Sequence, residues 1–140
     1  MSDEFEVERS EEEWRERLTP EQFHVTREHG TEPPFTGAYW ASKEEGTYHC
    51  VGCDLPLYSS ETKYDSGSGW PSYWAPVDTD AVVLRRDGSL GMVRIELLCR
   101  RCGAHLGHLF EDGPAPSGQR HCINSAALEL RKRDSEKPAE

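Results

Sequence analysis

The chain is 140 residues long and carries 26 acidic against 16 basic side chains, a formal charge of −10. That length holds one domain with a real core and has no room for two ordinary ones. The charge repels phosphate backbones, which argues against general nucleic-acid binding, and no apolar run approaches the roughly 20 residues that span a bilayer.

The first stretch, MSDEFEVERSEEEWRERL (residues 1–18), holds eight acids and three bases, half of the net charge. A signal peptide begins basic and continues apolar, so a cytoplasmic protein is expected. Ser10 with Glu13 three residues on is a capping-box pattern, which predicts a short helix from about residue 11 to 18. Thr19 and Pro20 then read as the cap and first-turn proline of a second helix, roughly 20 to 29, ended by Gly30. TEPPFTGAYW breaks the helical pattern.

From Thr47 to Leu130 the texture changes to short runs rich in β-branched, aromatic and leucine residues: GTYHC, PLYSS, SYWAPV, AVVLRR, MVRIELLC and INSAALELR. Asp87-Gly88 between two such runs is a hairpin signal. The expected architecture is mainly β, an antiparallel sheet domain of six to eight strands preceded by two short N-terminal helices. In domain terms, residues 1–18 form an acidic extension with a short helix, 19–130 the main domain, and 131–140 (RKRDSEKPAE) a disordered tail without apolar content.

Five cysteines carry the first chemistry. Four form two CxxC pairs, Cys50 with Cys53 and Cys99 with Cys102. Two intervening residues let a tight turn aim both sulfurs at one point, and two such knuckles complete a tetrahedral four-thiolate zinc site. In a reducing compartment such pairs read as metal sites rather than disulfides. With four thiolates bound, the zinc has no open position and staples the sheet, one ion per chain. The 45 residues between Cys53 and Cys99 require a β segment to loop out and return.

Cys122 in RHCINS is then the single free thiol. Arg120 and His121 flank it, and His105 and His108 lie upstream in HLGHLF. If the two segments pair, positive groups surround the sulfur and lower its pKa. In a strictly extended strand His105 and His108 leave on opposite faces, so a turn at Gly107 is expected to bring both to one site. SGSGWPSY adds a flexible turn and an aromatic, Trp70, suited to a methyl or thioether ligand.

Taken together, TEPPFTGAYW, CVGCDLPLY, YDSGSGWPSYW and CRRCGAHLGHLFEDGPAPSGQRHCINSAALEL resemble the B-type methionine sulfoxide reductases, the peptide-methionine (R)-S-oxide reductase family. The resemblance runs from about residue 17 to 130. It implies a rolled antiparallel β fold with a Cys₄ zinc site and reduction of methionine-R-sulfoxide, peptide-bound or free, in protein repair under oxidative stress. By matching position it implies Cys122 as nucleophile, His105 or His108 as the acid that protonates the departing oxygen, and Trp70, Phe110, Asp112, Arg120 and Asn124 as the substrate pocket. The product at Cys122 is a sulfenic acid. Implied partners are oxidised proteins or peptides and thioredoxin or another thiol reductant, with no nucleic acid and no membrane, for a monomer.

Two positions depart from the family pattern. His121 stands where an aromatic is usual, with an expected effect on the pocket wall or the thiol. Ser68 stands where many members carry a resolving cysteine, and no spare cysteine exists in the chain, so an external thiol is expected to recycle Cys122 directly. Rival classes are a zinc-knuckle binding module and a zinc-containing chaperone sharing the fold without the chemistry. Neither requires the RHCINS thiol.

Overall fold

The computed structural model describes residues 5–88 and 94–132. Helix α1 spans Glu11–Arg17 and α2 spans Pro20–Arg27; the capping box of Ser10 with Glu13 and the Thr19 cap form as the sequence predicts, and Gln22 completes a second box with Thr19. Helix α2 stops short of Gly30: His29 takes the left-handed conformation (φ 59°), and the Gly30 N–H closes the end on the His24 carbonyl at 2.9 Å.

Nine strands follow among the described residues, one more than the upper expectation: β1 (Gly46–Cys50), β2 (Pro56–Ser59), β3 (Lys63–Tyr64), β4 (Ser72–Tyr73), β5 (Val82–Asp87), β6 (Arg94–Cys99), β7 (His105–Phe110), β8 (Arg120–Ile123) and β9 (Leu128–Lys132). They form two antiparallel sheets, ordered β2-β1-β9 and β3-β4-β8-β7-β6-β5. The run SYWAPV contributes only the two residues of β4, since Trp74 onward leaves the sheet.

Two boundaries differ from the sequence reading. The hairpin expected at Asp87-Gly88 forms, β5 pairing with β6, but Asp87 is the last paired residue of β5, opposite Arg94; the connection starts at Gly88, and residues 89–93 lie outside the described residues. Arg131 and Lys132 continue β9 by pairing with Thr47 and Gly46, because a strand edge recruits polar residues as readily as apolar ones on its solvent side. Residues 133–140 of the expected tail lie outside the described residues.

The core is aromatic. Tyr48, Tyr58 and Tyr73 are fully buried, with the Tyr58 and Tyr73 rings stacked at 4.5 Å, and Leu57, Leu97, Leu106 and Ile123 close around them. The helices sit over the cysteine pairs: Trp14 of α1 is buried, and the Arg27 guanidinium lies 4.4 Å from its ring while donating to the Cys102 carbonyl at 3.1 Å. The acidic extension is tied to the same place by the Val7 N–H, which donates to the Arg101 carbonyl at 2.8 Å. No helix among the described residues is long and apolar enough to cross a membrane.

Candidate active site and metal centre

Two knuckles of one build carry the cysteine pairs. Cys50 ends β1 and Cys99 ends β6. In the first, Cys50 N–H donates to Leu55 C=O and Asp54 N–H to Cys50 C=O, both at 2.8 Å; in the second, Cys99 N–H donates to Ala104 C=O and Gly103 N–H to Cys99 C=O, both at 2.9 Å. The residue after each second cysteine is left-handed, Asp54 at φ 73° and Gly103 at φ 77°. That reversal turns both sulfurs of each pair inward.

The sulfurs meet across the knuckles, Cys50 to Cys102 at 3.6 Å and Cys53 to Cys99 at 3.5 Å, with all four within 4.8 Å of one another. A tetrahedron with metal–sulfur bonds of about 2.3 Å has edges of about 3.8 Å, whereas a disulfide needs about 2.0 Å. The donor set fits one metal ion. Gly52 belongs to this fit: a Cβ there would stand 3.2 Å from the Trp14 ring and 3.4 Å from the Cys102 sulfur.

Cys122 sits differently. It lies within β8, between β4 and β7, with Ser72 and His108 as its direct partners on either side. Directly opposed residues share a face of the sheet, and the face repeats every second residue. His108, Cys122 and Ser72 therefore point the same way, joined two residues along by the Phe110–Arg120 pair. Over this face lies a pocket of about 90 Å³ lined by Trp70, Gly107, His108, Phe110, Cys122 and Asn124. Arg94, which the sequence reading did not single out, also lines it.

A bulge, not a turn, brings the histidines together. Opposite Leu97 and Leu98, β7 skips from Gly107 to His105, so Leu106 is the extra residue. The offset puts His105 and His108 on one side with ring centroids 5.4 Å apart. Only His108 lines the pocket; His105 lies behind it, 2 % exposed, with Nδ1 2.6 Å from the Glu96 carboxylate. Gly107 is required by close approach, because a Cβ there would fall 1.9 Å from the Cys122 carbonyl oxygen.

The thiol is not made acidic overall, contrary to the expectation from its basic neighbours. Burial pushes the Cys122 thiol up; the Arg120 guanidinium and the Ser68 hydroxyl pull it down without overcoming that. Arg120 is shared, donating to both Asp112 oxygens at 2.8 and 3.2 Å and lying 4.4 Å from the Phe110 ring. Asp112 is exposed; with Arg120 and Ser68 it lines a neighbouring groove rather than the pocket itself. Ser68 belongs to a hydroxyl chain, Ser68 to Ser66 at 2.8 Å and Ser66 to Ser72 at 2.7 Å.

His121 is absent from the pocket. One residue from Cys122, it faces the core, where its Nδ1 accepts from the Tyr58 hydroxyl at 2.9 Å, and burial lowers its pKa to about 4. It neither forms the pocket wall nor faces the thiol.

Glu32 is another residue that sequence reasoning missed. This buried carboxylate accepts from the Ser125 and Ala126 N–H groups at 2.8 and 2.9 Å. Its backbone takes the Asn124 Oδ1 by its N–H (3.0 Å) and the Trp70 indole N–H by its carbonyl (2.9 Å). The loop before β1 thus fixes two pocket side chains, and a lone acid ahead of Pro33-Pro34 is the only mark in the sequence. Asn124 also donates to the Leu106 carbonyl at 3.1 Å, so its amide is held by backbone.

The SelR domain family matches residues 18–132. Among curated proteins, the chain is 57% identical over 122 residues to the peptide methionine sulfoxide reductase MsrB of Agrobacterium fabrum, covering 87% of this chain and 90% of that one. It is 61% identical over 117 residues to the protein of the same name from Thioalkalivibrio sulfidiphilus, covering 84% and 85%. To that of Methanosarcina barkeri it is 53% identical over 134 residues, covering 96% and 94%.

Proposed function

Since the chain belongs to the SelR-domain family of MsrB-type peptide methionine sulfoxide reductases, we propose that it reduces the R epimer of methionine sulfoxide, in peptides and oxidised proteins and as the free amino acid, with Cys122 as the nucleophile. The observation that carries this reading is the placement of the one cysteine outside the metal cluster, in a pocket shared with Trp70, Phe110 and His108.

The substrate methyl and thioether groups pack against the Trp70 and Phe110 rings. His108 takes the Cys122 proton as Sγ attacks the sulfoxide sulfur, then delivers it to the oxygen as negative charge builds there. Attack forms a transient Sγ–S bond; as the protonated oxygen passes to Sγ, that bond and the substrate S–O bond break and a Cys122 S–O bond forms. The products are methionine and a sulfenic acid, with the thiol proton now on the sulfenic oxygen. Burial keeps the resting thiol protonated, so it brings its own proton to the reaction. Arg120, held by Asp112, stabilises the transient thiolate. Of the two histidines, His108 fits the acid and His105 its support.

Cys50, Cys53, Cys99 and Cys102 would hold one zinc per chain, a closed four-thiolate shell that staples the sheet and leaves no open position for substrate. The reductase unit is residues 19–130, with 1–18 as an acidic extension whose residues 5–18 lie over the knuckles. The enzyme works as a monomer in the reducing cytoplasm, without nucleic acid or membrane.

Recycling follows from Ser68, whose hydroxyl cannot form a disulfide. An external thiol, from thioredoxin or a small thiol, attacks the sulfenic acid, giving a mixed disulfide and water; a second thiol then releases Cys122. Enzyme treated with one equivalent of sulfoxide and no reductant should therefore gain a single oxygen at Cys122, trappable by dimedone. An intramolecular disulfide at Cys122 in that sample would refute this route. Ser68→Cys should create such a disulfide.

A further inference from the structure

Behind the pocket, three titratable side chains from three separate segments converge. Glu96, 5 % exposed in the middle of β6, accepts at one oxygen from both His105 Nδ1 at 2.6 Å and His29 Nδ1 at 2.5 Å. Arg85 of β5 places its Nε 3.4 Å from the other oxygen. The His29 and His105 rings lie 5.2 Å apart, and His105 meets His108 edge-on at 5.4 Å. Burial alone would push the Glu96 carboxyl up, but the bonds from His105 and His29 hold it well below the usual range, so it is a carboxylate at neutral pH. With Nδ1 committed as a donor, the other nitrogen of His105, Nε2, is buried without a hydrogen-bond partner among the described residues.

The same donors could in principle hold a cation. Two ligands of one ion with bonds of about 2.1 Å stay about 3 Å apart or more, whereas these contacts are 2.5 and 2.6 Å, and Arg85 adds a positive charge. Hydrogen bonding explains the geometry; ligation does not.

We propose that Glu96 is a positioning residue for the reduction: it fixes His105 as the Nδ1–H tautomer and sets that ring as the wall that holds His108 against Cys122, while His29 secures the carboxylate from the solvent side. A carboxylate that orients an imidazole also raises the basicity of its far nitrogen. Here that nitrogen lies in the buried layer behind the pocket. The arrangement couples the proton donor to His29, whose side chain is 48 % exposed. The groups facing His105 are Glu96, His29 and His108. Those facing Glu96 are His29, His105, Arg85 and His108, the last its direct partner across β6 and β7. This inference rests on the reading of His108 as the proton donor.

The test is Glu96→Gln, which keeps the shape and removes the charge, assayed beside wild type in single-turnover reduction of methionine-R-sulfoxide across pH. The rate should fall about 10–100-fold, the size of effect seen when the carboxylate behind a metal-bound histidine is lost, with KM little changed and one limb of the pH–rate profile displaced. Nitrogen-15 NMR should show His105 protonated at Nδ1 in wild type and lose that signature in the variant. A folded Glu96→Gln with the wild-type rate, profile and tautomer would overturn the proposal. If Glu96→Gln does not fold, His29→Gln at the half-exposed end should still displace the limb and shift the His105 signals; no change in either would equally overturn it. Metal content should be one ion per chain in both wild type and Glu96→Gln; a second equivalent lost in the variant would make the cluster a metal site instead. An inactive wild type would undo the underlying reading, whereas an active wild type with an indifferent Glu96→Gln undoes this inference alone.

Discussion

The molecule uses sulfur in two places, and the two are held by different means. At the knuckles, four cysteines converge because each pair is four residues of chain closed by its own backbone bonds and one left-handed residue. At the pocket, a lone cysteine in mid-strand is surrounded by residues drawn from β7, from the loop before β4 and from the segment after α2. The first arrangement is written in local spacing, the second in strand register. Local spacing makes a robust staple, and register makes a site that a one-residue change can misalign.

The sharpest way to break the comparison is to exchange the roles of the cysteines. Cys99→Ser should lose the metal and with it the cooperative fold, since structural zinc supplies on the order of 10 kcal/mol to small domains. Cys122→Ser should keep about one metal per chain and a nearly unchanged melting curve. Elemental analysis and circular dichroism on both variants check this, and loss of metal in Cys122→Ser would erase the division.

Within the pocket, His108→Ala should lower the single-turnover rate by roughly 10²–10⁴-fold with the fold retained, the range for a lost acid–base group. Gly107→Ala tests register itself. The added methyl group would drive β8 away at the Cys122 carbonyl, and a shift of about 1 Å at a reacting atom costs about 10²-fold. Metal content should not change in either variant.

The smallest effect concerns His121, which is beside Cys122 in sequence and on the other face in space. Its pKa falls from 6.5 to about 4 in the fold, so between those values the unfolded chain binds the extra proton. Its contribution to stability is complete above about pH 6.5 and is lost as pH drops toward 4, on the order of 3 kcal/mol in all. Urea titrations at several pH values should show that slope, and His121→Phe should flatten it while leaving the reduction rate within a few-fold of wild type.

The same contrast explains how much was legible beforehand. The two helix N-caps, the two knuckles and most strands rest on residues close together in the chain, and these read directly from it. The identity of the pocket cysteine followed by subtraction once the CxxC pairs were assigned. What stayed hidden depends on pairing. Leu106 as a bulge is visible only against Leu97 and Leu98. Glu32 reaches Ser125, 93 residues away, and Glu96 reaches His29 across 67. The acidity expected of Cys122 counted its charged neighbours and left out burial, which the fold makes the larger influence. His121 read as a pocket residue because adjacency in sequence looks like adjacency in space, and in a strand it means the opposite face.

The central claim is that the Cys122 thiol in this pocket reduces one epimer of methionine sulfoxide. The most direct measurement is a thiol-coupled assay on resolved R and S methionine sulfoxide in a peptide, with wild type beside Cys122→Ser. Reduction of the R epimer alone, abolished in Cys122→Ser with its metal still bound, is the predicted result. Turnover of the S epimer instead, or undiminished activity in the variant, would contradict it.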